Sequence, residues 1–291
     1  MRQTIKVVIP TLNPGAGFLS LAEALNAQEG ISPRDVLVVD SSSDDDTVTL
    51  AKSFGFSIRV IPRKSFSHGK TRKEAAESLD TDIVVFMTQD ALPTAKDSVW
   101  RLCRPLMEND KTAVSYGRQI ATEKSGPLEH HARLFNYPYE SRLKTKADIK
   151  TMGIKAVFCS DVFAAYKKYA LKEVGGFDDT NFGEDTLAAA KFLFNGYSVY
   201  YCADACVYHS HDYSCFQQFA RYMKTGRLHR EYRDIFERLS KAEGEGMRFV
   251  RSEIKYLCGQ GEYLWIPLAF MHNAFKYVGY FIGRHTWSVQ E

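Results

Sequence analysis

Ile83-Val84-Val85-Phe86-Met87-Thr88-Gln89-Asp90 is an apolar run that stops abruptly on one carboxylate. β-Branched and aromatic side chains in an unbroken run, with no polar alternation, describe a strand covered on both faces. Such strands belong to sheets packed between helices, where ligands bind just beyond the carboxyl ends. Asp90 then stands at the mouth of a cleft, where an acceptor-only oxygen pair suits a hard divalent cation. Capping of the next helix is the competing reading.

The pattern recurs on both sides of this run. Residues 5–10, 36–40 and 58–61 predict three more strands, and residues 19–28, 47–54 and 69–79 predict the helices between them. Alternation with short connections implies right-handed βαβ units and a mostly parallel sheet flanked by helices, an α/β fold. Further along, residues 113–117 and 156–159 read as strands. Residues 186–195 read as a helix stopped by Gly196, and 199–201 as a strand leading into a histidine-bearing segment. From Phe216 onward the spacing is helical.

A chain of 291 residues with 45% hydrophobic content can bury one large core with a helical annex. The net charge of +3 comes without any Lys/Arg block, which excludes a nucleic-acid-tracking surface. Charge is unevenly placed. Residues 216–291 hold 12 Lys and Arg against 8 acids, whereas residues 1–215 hold 26 against 27. We therefore divide the chain into a catalytic region, 1–215, and a basic, aromatic C-terminal helical region, 216–291. The six cysteines, at 103, 159, 202, 206, 215 and 258, form no CxxC pair, and most lie in apolar runs, as reduced thiols do. A first strand within a few residues of the start leaves no room for a secretory signal, so a cytoplasmic location is expected.

Other strand ends also carry chemistry. The first ends Pro10-Thr11-Leu12-Asn13-Pro14 and the second Val39-Asp40-Ser41-Ser42-Ser43-Asp44. Asp40 is placed to accept from the imide N–H of a pyrimidine base, with hydroxyls and backbone amides holding ribose and phosphate. Helix capping by residues 42–46 accounts for part of the second cluster. Phe66-Ser67-His68-Gly69-Lys70-Thr71-Arg72 follows, with Gly69 allowing close backbone approach to a ligand and Arg72 reaching a diphosphate from an early helical turn. A surface ion pair is the alternative for Arg72. Next, Phe182-Gly183-Glu184-Asp185 opens a helix whose dipole keeps a carboxylate ionised. Last comes Val207-Tyr208-His209-Ser210-His211, whose two histidines at i and i+2 project to the same side of an extended segment. Cys202-x-x-x-Cys206 nearby has zinc-site spacing, but two histidines at i and i+2 do not.

Taken together, Pro-x-x-Asn at 10–13 and Asp-x-Ser-x-Asp at 40–44 resemble the nucleotide-sugar half of family 2 glycosyltransferases of GT-A fold. Phe-x-His-Gly-x-Thr-Arg at 66–72 and Thr-Gln-Asp-Ala-x-Pro at 88–93 narrow the resemblance to bacterial O-antigen rhamnosyltransferases. It implies that Pro10, Thr11, Asn13, Asp40 and Ser42 hold the nucleoside, and that His68, Gly69, Arg72, Gln89 and Asp90 face the sugar diphosphate. It further implies Mg²⁺ or Mn²⁺ on Asp90 with His209 and His211, and a general base at Asp185 beside Glu184. Most of the family carries Asp-x-Asp at the metal strand; here Thr88 stands where the first acid would be. The implied donor is dTDP-rhamnose and the acceptor a lipid-linked or growing cell-surface saccharide. A UDP-hexose donor, or a nucleotide-sugar-binding module without turnover, is the alternative. A dinucleotide enzyme is disfavoured because no Gly-x-Gly-x-x-Gly follows the first strand.

In the C-terminal region, Arg221, Lys224, Arg227, Arg230 and Arg233 predict a basic helical stripe. Residues 263–283 are aromatic and aliphatic but include Pro267, His272, Asn273 and Lys276, which argues against a spanning helix. An interfacial helix on the cytoplasmic face of the inner membrane is expected; a core-packing helix or an oligomer contact would give the same pattern.

Overall fold

All five side chains of β4 (Ile83–Met87) are buried, as an unbroken apolar run requires. The structure is a computed structural model that describes residues 3–239 and 244–286. β1 (Ile5–Thr11), β2 (Val36–Asp40) and β3 (Ser57–Val60) lie beside β4 in the order β3-β2-β1-β4, all parallel. The helices that return the chain are α1 (Gly17–Asn26), α2 (Thr47–Ser53) and α3 (His68–Ser78).

Beyond β4 the sheet becomes mixed. After β5 (Leu92–Pro93) and α4 (Ser98–Glu108), the chain leaves the slot next to β4 open and lays down β6 (Thr112–Ile120) one position further out. The slot is later filled by β8 (Phe163–Lys167), antiparallel to both neighbours. Between them come α5 (Pro127–Asn136), β7 (Arg142–Lys144) and α6 (Ile149–Met152). α7 (Lys168–Glu173) and α8 (Glu184–Phe194) lead to β9 (Ser198–Tyr208), which runs parallel to β6 and pairs antiparallel with β5 and β7. The strand expected at 156–159 is instead the end of a 3-10 turn, Gly153–Val157, and the loop after it. A four-residue apolar run cannot be told from one buried helical turn by pattern, and the strand lies just downstream in β8.

Alternation along the strands builds two cores. Val7, Ile9, Val38, Val85 and Met87 face α1 and α4, where Leu21, Leu25, Leu102 and Leu106 meet them. Val8, Val39, Val84 and Phe86 face the other way, onto Ala75 of α3 and Ala188 and Phe192 of α8. Each fully buried large side chain contributes about 1.5–3 kcal/mol by leaving water.

Direction decides where chemistry collects. β1, β2, β4, β6 and β9 all point their carboxyl ends at one edge of the sheet, and β8 starts from that edge. Beyond residue 215 the chain forms α9 (Cys215–Glu231), α10 (Arg233–Glu237), α11 (Glu245–Gln260) and α12 (Ile266–His285). α12 lies backbone to backbone on α9: a Cβ on Gly279 would sit 2.3 Å from the Phe219 carbonyl oxygen. Only glycine permits that approach. No helix among the described residues is long and apolar enough to cross a membrane.

Candidate functional site

The three residues singled out as metal ligands come together at the common carboxyl edge. Asp90 follows β4 and His209 follows β9; the short β5, paired Leu92 to Tyr208, folds the first segment back beside the second. His209 Nε2 lies 3.5 Å from Asp90 Oδ1, and His211 Nε2 lies 3.1 Å from Asp90 Oδ2. The two Nε2 atoms are 3.1 Å apart. One carboxylate oxygen and two ring nitrogens, all within 4.8 Å of one another, form a three-point donor set. Burial opposes ionisation of Asp90, but His209 and His211, where they donate to it, outweigh burial and hold the carboxyl well below the usual range. Cys202 and Cys206 take no part in the cluster.

Tautomer logic shows what this set lacks. His209 Nδ1 is 2.9 Å from Gln119 Oε1, and that same oxygen accepts from Arg133 Nη1. Arginine only donates, so the atom it meets must be the amide oxygen, and His209 Nδ1 must carry the proton it gives to Gln119. In the neutral ring Nε2 is then unprotonated and turns its lone pair toward Asp90 and His211. Burial pushes the His209 pKa down, with Asp90 only partly opposing, which favours this neutral form. A lone pair facing a carboxylate is unfavourable unless a cation lies between them, so the donor set fits a divalent metal. A ring N–H held by an amide oxygen is the usual support behind a metal-ligating imidazole.

Gln119, at the carboxyl end of β6, is a site residue that the sequence did not reveal. Its amide nitrogen donates to Tyr137 Oη at 2.6 Å and Ser160 Oγ at 2.9 Å, so all its capacity serves to fix His209. A glutamine in an apolar strand carries no local signal. We expect Gln119→Leu to lower divalent-metal affinity about 10–100-fold with the fold retained, measured by calorimetry. An unchanged affinity would exclude the orienting role.

A second group lies where β8 begins. Arg72 of α3 is 2% exposed, its Nε 3.1 Å from Asp161 Oδ2 and its Nη1 3.0 Å from Glu184 Oε1. Its charge, read from sequence as a diphosphate contact, is thus balanced by two carboxylates within the protein. His68 Nδ1 sits 3.0 Å from Arg72 Nη1, and burial with the nearby arginine lowers its pKa to about 4. Asp161 is the other member that sequence reasoning missed; it accepts from Tyr166 Oη at 2.6 Å. The close approach permitted by Gly69 is to its own chain, not to a ligand. A Cβ there would stand 1.7 Å from the Asp178 carbonyl oxygen.

Asp185 is the acid in this group that keeps some exposure. Its Oδ2 accepts from the Asp161 amide at 3.2 Å and its Oδ1 from the Thr186 amide at 2.6 Å. Burial, and then the charge of Glu184, raise its pKa to about 6, overcoming these amides. The helix dipole expected to keep it fully ionised is outweighed. Three carboxylates share one guanidinium, and burial pushes Asp161 still higher.

The two remaining loops interlock. Asp40 is completely buried, accepting from Thr11 Oγ1 at 3.0 Å, Ser43 Oγ at 2.6 Å and the Ser43 amide at 2.8 Å. Asn13 Oδ1 accepts from the Asp44 amide, and the Asn13 amide donates to Ser43 Oγ. Asn13 and Ser42 both adopt left-handed backbone, at φ 46° and 60°, a strain more common at ligand sites than elsewhere. Gln89 clamps the ends of β1 and β4 by bonding both the Leu12 amide and its carbonyl. Pro10, Thr11, Ser41, Arg63, Arg72 and Asp90 lie along a cavity of about 310 Å³ whose lip these loops form. Ser42 itself is bonded away, to the Ile61 carbonyl. The basic stripe of α9 reaches this region: Arg221 stacks on Phe182 and Tyr213, and Lys224 contributes to the lowered His68 pKa.

Residues 6–175 match the profile of Glycosyl transferase family 2. O-antigen chain rhamnosyltransferase RfbN of Salmonella typhimurium is 41% identical over 288 residues, 98% of this chain and 91% of that protein. O-antigen chain rhamnosyltransferase WbaN of Salmonella anatum is 39% identical over 286 residues, 97% of this chain and 90% of that one. Among solved structures, a mannosyltransferase from Pyrobaculum calidifontis in complex with GDP-Man and Mn²⁺ superposes with a TM-score of 0.64. The identity is 16%, covering 97% of this chain and 87% of that one. TarS of S. aureus in complex with UDP-GlcNAc gives 0.55 at 15% identity, covering 97% and 90%. These likenesses show the fold, a GT-A sheet with a C-terminal helical region.

Proposed function

The chain belongs to glycosyl transferase family 2, and from that premise we propose that it moves rhamnose from dTDP-rhamnose onto a lipid-linked or growing cell-surface saccharide, with inversion at the anomeric carbon. The observation that carries this reading is the three-point cluster of Asp90, His209 and His211 on the same sheet edge as Asp185. The sugar is supported by the two rhamnosyltransferase relatives.

In this account Pro10, Thr11, Asn13 and Ser42 shape the lip that receives the nucleoside, with Asp40 fixing the lip from beneath. His68 and Gln89 border the diphosphate. Asp90, with His209 and His211, would hold a divalent cation, which when bound would offset negative charge on the diphosphate; two imidazoles favour Mn²⁺ over Mg²⁺. Asp185 takes the proton from the acceptor hydroxyl while that oxygen attacks the anomeric carbon. The bond to the diphosphate breaks on the opposite face, and its electron pair leaves with the nucleoside diphosphate. Arg72 and Glu184 act as a buried pair that holds α3 against α8 and places Asp185. Residues 1–215 carry this chemistry.

The C-terminal region lies on the cytoplasmic face of the inner membrane. Phe270, Tyr277 and Phe281 are 56%, 70% and 50% exposed along one side of α12, with Leu264 at 94% before it and Arg284 at its end. An apolar face edged by basic groups suits a headgroup layer better than a second copy of itself. One experiment tests both statements: the chain is mixed with vesicles bearing the saccharide acceptor and with dTDP-, UDP- or GDP-sugars. We expect it to pellet with the vesicles and to release nucleoside diphosphate chiefly from dTDP-rhamnose. Preference for a UDP-hexose removes the rhamnose assignment alone, and failure to pellet removes the membrane contact alone.

A further inference from the structure

A cavity of about 670 Å³ opens next to the candidate metal site, and His211 belongs to both. α5 supplies one wall through Leu128 and Glu129. The rest comes from the 211–218 segment, from Glu253 of α11, and from Trp265, Leu268, His272 and Lys276 in and before α12. Apart from the α5 side, these walls lie beyond residue 175, outside the stretch that matches the family profile.

The chemistry of the walls selects a class of ligand. Trp265 is a flat apolar wall: its ring lies against Gly126, 3.3 Å from where a Cβ there would stand. Lys276 of α12 also lines the cavity, and its Nζ has no hydrogen-bond acceptor or ion pair among the described residues. Its ammonium is held 4.6 Å from the centre of the Phe249 ring, and burial lowers its pKa, with Glu253 and Glu129 only partly opposing. Glu253 is 1% exposed; one oxygen takes the Asn273 amide at 2.6 Å, and the other is 3.9 Å from His131 Nδ1. Donors and acceptors therefore line the cavity together with an aromatic plane. Its lining holds three carboxylates, Glu129, Asp212 and Glu253, two amines, Lys124 and Lys276, and two imidazoles, His211 and His272, the second of which burial disfavours as a cation. With no excess of cations, a phosphate or other anion is not favoured. An uncharged polyhydroxylated ligand is, since hydroxyls both donate and accept and the C–H face of a sugar ring lies well on an indole.

We propose that this cavity binds the saccharide of the acceptor, passing its reactive end by His211 into the catalytic edge, so that the C-terminal helices set acceptor specificity. The proposal rests on the glycosyl-transfer reading above, but its test does not depend on turnover. Binding of a panel of water-soluble alkyl glycosides of hexoses and 6-deoxyhexoses is followed by saturation-transfer NMR on the wild-type chain, Trp265→Ala and Lys276→Met. Nucleoside diphosphate affinity, measured by calorimetry, reports on the donor side and on folding. We expect at least one glycoside to bind the wild type, and both substitutions to weaken it about tenfold, roughly 1.4 kcal/mol, with nucleotide affinity unchanged. Unaltered glycoside binding in both variants overturns the proposal, as does a parallel loss of nucleotide binding or an absence of glycoside binding to the wild type. If glycosides bind here while no sugar nucleotide is ever consumed, the cavity assignment stands and the transfer reading fails.

Discussion

Asp185→Asn is expected to lose turnover by about a hundredfold to ten-thousandfold while keeping its affinity for the sugar nucleotide and its stability. The size follows from removing the group that takes the acceptor proton during attack; an amide has no basic oxygen to replace it. Nucleotide affinity should persist because Asp185 touches neither the β1 and β2 loops nor the Asp90 cluster. The pH profile supplies a second signature. With its pKa raised to about 6, Asp185 is ionised at neutral pH, and wild-type turnover should fall about tenfold per unit as pH drops below that value. The sign for stability runs opposite to that of an ordinary salt-bridged acid. Between the unfolded value of 3.8 and the folded value of about 6, the folded chain binds more protons than the unfolded one. Its stability therefore declines as pH rises through that window, and above it the ionised Asp185 is a net cost to the fold. The asparagine variant escapes that cost, so its melting temperature at neutral pH should equal or exceed that of the wild type. Steady-state kinetics, calorimetry and thermal melts decide the matter together. Full turnover in the variant, or loss of turnover together with loss of folding, would remove Asp185 from the role of base.

How far this site was legible in the sequence depended on whether its signals were local. Buried strands announce themselves through runs such as residues 83–87, and the carboxylates and histidines that end them are visible as abrupt polar stops. Those stops marked Asp90, His209 and His211 as candidates, and the family resemblance was needed to give them a metal and to choose Asp185, in the first turn of α8, as base. The partners were not visible. Arg72 meets acids 89 and 112 positions away in sequence, an arrangement that only the insertion of β8 beside β4 creates. The same insertion, antiparallel and late in the chain, is why a mostly parallel sheet was expected where the outer half is mixed. Gln119 and Asp161 left no pattern, because their importance lies in which atom they orient. The reading of Gly69 failed for a related reason. The sequence signals that a backbone comes close, but not whose backbone it is.

We propose that geometry compensates for the missing acid at Thr88. Where most relatives have a carboxylate two residues before Asp90, this chain brings two imidazoles onto Asp90 from β9, with Gln119 behind one of them. Removing any one ligand should therefore do more than weaken a surface charge pair. Asp90→Ala leaves two imidazoles and no anion, and His209→Ala removes a ligand while the Gln119 oxygen keeps its bond from Arg133. Both variants should lose metal-dependent turnover by about a thousandfold, on the scale of removing a cation's several kcal/mol of charge stabilisation. His211→Ala, at the more exposed corner, should lose less. Chelation of the wild type should give the same loss as Asp90→Ala, and Mn²⁺ should restore activity to the wild type but not to that variant.

The central claim is that Asp90, His209 and His211 form one divalent-metal site. Titration of Mn²⁺ into the purified chain, followed by electron paramagnetic resonance, tests it without any substrate. One bound ion is expected in the wild type, with nitrogen coupling from imidazole ligands, and loss of that ion in Asp90→Ala and His209→Ala. Mn²⁺ binding that persists unchanged in both variants, or no binding by the wild type, would contradict it.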